Sequence, residues 1–100
     1  MDITVTSPEA GGQHLAVEGD VDVHTAVEFR RVIAESETST PLTINLSQVS
    51  FMDSTGLGVL IGALTRSREA GSRLVLEALS PRVDRLLSLT GIAEQFEITQ

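Results

Sequence analysis

Asp53-Ser54-Thr55-Gly56-Leu57-Gly58 sets two adjacent hydroxyls between an acid and two glycines, just ahead of an apolar run from Leu57 to Leu64. The run reads as a buried helix, so Ser54 and Thr55 fall where its first turn begins. A helix N-terminus turns unpaired backbone N–H groups outward and carries about half a positive charge. A hydroxyl there can cap the helix, with the glycines allowing close packing. It can also carry a phosphate whose charge the helix end tolerates. The hexapeptide alone leaves both roles open.

Other residues imitate chemistry and fall short of it. Gly56, Gly58 and Gly62, with Glu77 further on at a strand end, approach a dinucleotide fingerprint, but the third glycine stands four residues after the second instead of three. The first glycine also lies well beyond a strand read as ending near Leu46. Asp20-Val21-Asp22-Val23 resembles the paired-aspartate motif of haloacid-dehalogenase-type phosphatases, whose chemistry needs a lysine that this chain lacks. Two such acids are a nonspecific magnesium site. In an exposed loop they are expected to be solvated or to cap the helix at Thr25. A serine hydrolase needs a base beside Ser54. The two histidines are His14 in a predicted strand and His24 at a helix start, and there is no Gly-x-Ser-x-Gly elbow. No catalytic residue, metal site or cofactor is therefore expected. Phe51 reads as core. Met52 is either core or part of a docking surface, because methionine suits adaptable contacts.

The elements that must hold these residues follow from periodicity. Ile3 and Val5, then Leu15 and Val17, alternate with their neighbours and predict two strands joined as a hairpin around a Ser7–Gly12 turn. Gly19 to His24 reads as a loop. Ala26, Phe29, Val32 and Ile33 share one helical face. Leu42, Ile44 and Leu46 predict a third strand. Leu57, Leu60, Ile61 and Leu64 line one face of a helix reaching about Ala70, with Gly71 as its C-terminal cap. Gly58 and Gly62, four apart, predict a close approach to a neighbour. Leu74-Val75-Leu76 is a fourth strand. Ser80-Pro81 starts a helix with Val83, Leu86 and Leu87 inward and Gly91 at its end. Phe96 and Ile98 form a last strand. The order β-β-α-β-α-β-α-β predicts one α/β domain over residues 1–100, a mixed sheet of about five strands with helices packed on it.

Composition narrows the partners. The chain has 100 residues, of which 41% are apolar, enough for a core. Its net charge is -7, from seven arginines, no lysine and 14 acids, and aromatics are 3%. Counterion release and base stacking lack their usual residues, so nucleic acid is not expected as a partner, nor is an anionic membrane surface. Absence of lysine excludes Schiff-base chemistry and a P-loop. No apolar run reaches membrane-spanning length, and the N-terminus lacks the pattern of a signal peptide. With no cysteine, the expectation is a cytoplasmic protein.

Three segments together resemble the STAS domain of bacterial anti-sigma factor antagonists. Gly19-Asp20-Val21-Asp22-Val23-His24-Thr25-Ala26 resembles the family's segment before its first helix. Phe51-Met52-Asp53-Ser54-Thr55-Gly56-Leu57-Gly58-Val59-Leu60 is similar to its phosphorylation loop and following helix. Ser80-Pro81-Arg82-Val83, with Leu86, Leu87, Thr90 and Gly91, resembles its C-terminal helix. The resemblance implies phosphorylation of Ser54, with Thr55 as the alternative, by an anti-sigma factor that is also a serine kinase. It implies that the unphosphorylated form binds this partner and frees the sigma factor, and that phosphorylation ends the binding. A phosphatase is a further partner it admits. Asp20 stands where glutamate is common, and Asp22 matches a partner-contacting aspartate. The implied docking set is Asp20, Asp22, Met52, Asp53, Ser54, Thr55, Gly56 and Leu57. Two other readings stay open here: a STAS scaffold or accessory subunit of another complex, and a small phosphohydrolase using Ser54 or Asp20 and Asp22.

Overall fold

Alternating apolar residues fold as strands because one side of each strand must meet a helix layer. The computed structural model describes residues 1–100. Strand β1 (Asp2–Thr6) turns back into β2 (Gln13–Val21), followed by α1 (Ala26–Ser36), β3 (Leu42–Met52), α2 (Ser54–Ala70), β4 (Leu74–Glu77), α3 (Pro81–Thr90), a 3₁₀ turn (Ala93–Gln95) and β5 (Glu97–Thr99). The five strands form one sheet in the order β1-β2-β3-β4-β5. The β1–β2 pair is antiparallel, and the other three pairs are parallel. The expected hairpin, strand count and mixed sheet are all present.

Each parallel step crosses through one helix and advances one strand in the same direction. Right-handed crossovers of this kind put every helix on the same face of the sheet. Burial follows that rule: Leu15, Val17, Ile44, Leu46 and Leu76 are closed off, with Phe29 and Ile33 of α1, Leu60 of α2 and Val83 and Leu87 of α3 in the same core. The residues between them, His14, Asn45 and Glu77, are half-buried on the other face. There Glu77 Oε1 accepts from Asn45 Nδ2 at 2.8 Å and lies 2.9 Å from His14 Nε2, a polar ladder across three strands.

Two strands run further than alternation indicated. β3 continues past Leu46 to Met52, and β2 takes in Gly19, Asp20 and Val21, so these residues are not loop. Backbone pairing supplies what side-chain pattern does not: Asp20 pairs with Phe51 and Val21 with Met52, after two shifts of register. The last strand is Glu97–Thr99, with Phe96 buried just ahead of it.

The helices end where their capping chemistry predicts. Ser80 Oγ accepts from the Val83 N–H at the start of α3, with Pro81 as its first residue. Gly71 and Gly91 close α2 and α3 with φ of 69° and 72°, values that glycine adopts at no steric cost. On α2 the inward side chains are Leu57, Val59, Leu60, Ala63 and Leu64, whereas Ile61 faces outward.

Candidate functional site

The carboxyl ends of parallel strands form the edge where α/β proteins place their working residues. At this edge β2 ends at Val21 and β3 at Met52, side by side. The Asp53 N–H donates to the Val21 carbonyl at 3.3 Å, tying the chain beyond β3 to the end of β2. The segment Asp22–Thr25 and the start of α2 are therefore neighbours, which brings two of the sequence motifs together.

Asp53 is the N-cap of α2. Its Oδ1 accepts from the N–H of Thr55 at 2.9 Å and of Gly56 at 3.4 Å. An acidic cap satisfies exposed helix donors and offsets the positive helix end. Ser54 is the first residue of the helix and is exposed, as is Thr55. The capping role thus belongs to the acid, and the Ser54 hydroxyl is left to solvent.

Gly56 fixes where this turn lies. A Cβ at Gly56 would come within 2.7 Å of Val21 Cγ1 and 2.9 Å of Met52 Cγ, closer than nonbonded carbons approach. The first turn of α2 is pressed onto the ends of β2 and β3. The close approach expected at Gly58 and Gly62 occurs instead at Gly56: a Cβ at Gly58 would meet nothing within 4 Å, and one at Gly62 only the flexible end of Arg66.

Asp22 organises its own turn. Its Oδ1 accepts from the N–H groups of His24 at 2.8 Å and Thr25 at 3.2 Å. Thr25 Oγ1 in turn accepts from the Asp22 N–H at 3.0 Å and donates to the Asp20 carbonyl at 2.9 Å. The side chain of Asp20 is exposed. None of Asp20, Asp22 and Asp53 takes part in an ion pair, so the three carboxylates at this edge have no cationic side chain as a direct partner. No three His, Cys, Asp or Glu side chains converge to hold a metal ion.

The family model for the STAS domain matches residues 7–100. The chain belongs to the STAS domain family. An anti-sigma-B factor antagonist of Listeria monocytogenes is 37% identical to this STAS domain over 102 residues, covering 98% of this chain and 90% of the relative. The crystal structure of an anti-sigma factor antagonist from Mycobacterium paratuberculosis has a TM-score of 0.85 at 27% identity, covering 98% of this chain and 84% of that one. The Bacillus antagonist SpoIIAA shares the fold at 20% identity. Its unphosphorylated form has a TM-score of 0.80, covering 99% of this chain and 89% of that one. Its phosphorylated form has a TM-score of 0.76, covering 99% and 92%.

Three members of the expected docking set are not on the surface of this STAS domain. Met52 is 2% exposed and Leu57 7%, and Gly56 is buried under the Val21 and Met52 contacts. They set the position of the loop and present no side chain to a partner. Of the two places left open for Met52 it takes the core, whereas Phe51, expected in the core, is only half-buried, with the Arg82 guanidinium 4.7 Å from its ring centroid. The residues of the set with exposed or half-exposed side chains are Asp20, Asp22, Asp53, Ser54 and Thr55. No helix is long and apolar enough to cross a membrane.

The sequence reading missed Arg82, Arg85 and Leu89, which border a groove beside Asp53. Their signal was present as the spacing i, i+3, i+7, the outer face of a helix whose inner face was read from Val83, Leu86 and Leu87.

Proposed function

We propose that this STAS domain is an anti-sigma factor antagonist whose binding is switched off by phosphate on Ser54. Unmodified, it binds an anti-sigma factor and so frees the sigma factor; that anti-sigma factor, acting as a serine kinase, phosphorylates Ser54 and ends the binding. A phosphatase resets the switch, and the cycle runs in the cytoplasm. The domain itself catalyses nothing. Its antagonist relatives favour this reading over a scaffold role.

The observation that carries the proposal is the division of labour at the start of α2. Asp53 already occupies the helix donors through Thr55 and Gly56, while Ser54 stands exposed beside it. A phosphate on Ser54 adds about -1.5 to -2 charges next to a carboxylate that already accepts the Thr55 and Gly56 N–H groups. A partner surface built to receive Asp20, Asp22 and Asp53 would then have to desolvate an uncompensated dianion. Leaving a buried charge unpaired costs about 3–5 kcal/mol. Each tenfold loss of affinity needs only about 1.4 kcal/mol.

The same geometry argues against hydrolysis by Ser54. His14 is engaged with Glu77 on the open sheet face, and His24 holds only a backbone bond to Asp22. Neither serves as a base for Ser54. The test is to incubate the protein with the ATP-binding anti-sigma factor and ATP, then map the modified residue by mass spectrometry. Phosphate on Ser54 supports the proposal. Phosphate on Thr55 with none on Ser54 overturns the assignment.

A further inference from the structure

Asp22 flanks Asp53 on the β2 side, and α3 flanks it on the other. Between the end of β3 and the outer face of α3 lies a groove of about 440 Å³, bordered by Phe51, Asp53, Arg82, Arg85, Leu86 and Leu89. Val83 and Leu87 turn inward to the core, which leaves Arg82, Arg85 and Leu89 along the outside of the same helix. Leu89 is 79% exposed. Lone exposed leucines are common. This one borders the same groove as a half-buried phenylalanine that lies under an arginine.

Two arginines and one carboxylate, Asp53, border this groove. Arg31, Arg66 and Arg73 are each held by a carboxylate and Arg68 donates to the Gln95 carbonyl; Arg30, Arg82 and Arg85 are in no ion pair, and of these Arg82 and Arg85 border the same groove. In a chain of net charge -7, two guanidinium groups along one partly apolar groove, one of them stacked on Phe51 and neither in an ion pair, are a local concentration of positive charge. Arginine and aromatic anchors with an apolar floor are the composition of binding hot spots.

We propose that this groove is a second docking surface, continuous with the Ser54 loop through Asp53, and that it takes an acidic amphipathic helix of the anti-sigma factor. The helix lays apolar side chains on Phe51 and Leu89 and its carboxylates on Arg82 and Arg85. The proposal rests on the antagonist reading for the partner's identity and adds to it Arg82, Arg85 and Leu89, which that reading does not use. Together the two faces make the surface bipolar: acids on the Asp22 side, arginines on the α3 side. Opposed patches of this kind admit one docking orientation and suppress the reverse.

The test titrates unphosphorylated protein into the ATP-binding anti-sigma factor by calorimetry. It compares wild type, Arg82→Glu with Arg85→Glu, Arg82→Lys with Arg85→Lys, Leu89→Ser, and Ser54→Asp. Charge reversal should weaken binding by about tenfold or more, with the lysine pair close to wild type. Leu89→Ser should weaken it several-fold with an unchanged melting temperature, since the side chain is exposed. Wild-type affinity should fall with added salt more steeply than that of the charge-reversed protein. If charge reversal and Leu89→Ser bind as wild type while Ser54→Asp does not, the groove proposal is overturned and the switch stands. If Ser54→Asp binds normally while the arginine and leucine variants do not, the groove stands and the switch fails. If Leu89→Ser removes self-association and leaves partner binding intact, the occupant is a second copy of the chain, and the proposal is overturned. If wild type does not bind the anti-sigma factor, both fall.

Discussion

Replacing Gly56 by alanine should destabilise the domain, and the same change at Gly58 should stabilise it. Both glycines lie in the first turns of α2, and in an open helix Gly→Ala is worth about 0.5–1 kcal/mol in favour of alanine. At Gly58 nothing within 4 Å opposes the new methyl group, so the gain should be realised. At Gly56 the methyl meets Val21 Cγ1 at 2.7 Å and Met52 Cγ at 2.9 Å. Neither atom is a free side-chain end: Val21 is fully closed off and branched at Cβ, and Met52 is 2% exposed. Forcing a methylene into such a core costs about 1–3 kcal/mol. Subtracting the helix gain leaves a net loss of up to about 2.5 kcal/mol, centred near 1 kcal/mol. For a domain of this size each kcal/mol moves the melting point by about 4–8 °C. Thermal melts and urea titrations of the two single variants should therefore shift in opposite directions. If Gly56→Ala is as stable as wild type, the first turn of α2 is not pressed onto β2 and β3, and the placement of Ser54 argued from that contact is wrong.

Asp22→Ala should cost about 0.5–2 kcal/mol, because the carboxylate satisfies the His24 and Thr25 N–H groups as a helix-capping residue does. Urea denaturation measures this, and a loss below about 0.5 kcal/mol, the range of exposed substitutions, would mean the turn holds without Asp22. Ser80→Ala should cost a similar amount, about 0.5–2 kcal/mol, through loss of the α3 cap, read by the same titration. Glu77 should make stability fall in acid. Its carboxyl is held below its ordinary 4.5, first by the hydrogen bond with His14 and next by that from Asn45. A lowered folded pKa gives stability that is present above the unfolded value and lost as pH falls through the folded one. The advantage of wild type over Glu77→Gln should be full at neutral pH and shrink below about pH 4.5. An advantage that does not change with pH would contradict the assignment.

Local chemistry was legible in the sequence wherever it was self-contained. The inward face of α1 was written in Ala26, Phe29, Val32 and Ile33, all buried. The caps of α3 were written in Ser80, Pro81 and Gly91. What escaped depended on contacts between elements. Gln48 and Ser50 interrupt the apolar alternation of β3, so its second half is specified by pairing with β2, across register shifts. Carrying the parity of Leu42, Ile44 and Leu46 onward would turn Gln48 and Ser50 inward, whereas Val49 and Met52 are the buried residues, so the inward places of this second half follow from the shifted pairing. The glycine that matters is also a tertiary fact. Gly56, Gly58 and Gly62 look alike in sequence, and only the position of the β2 and β3 ends singles out the first. The site was legible as a motif, but the exchange of roles between Asp53 as cap and Ser54 as free hydroxyl required the hydrogen bonds.

Charge on Ser54 is proposed to govern partner binding without unfolding the domain. The most direct measurement is the affinity of the anti-sigma factor for protein carrying one phosphate on Ser54, set against unmodified protein and Ser54→Ala, with a melting curve for each. All three should fold, Ser54→Ala should bind like the unmodified protein, and the phosphorylated form should bind at least about a hundredfold more weakly, from an unpaired charge costing about 3–5 kcal/mol. Equal affinity of the phosphorylated and unmodified forms would contradict the proposal.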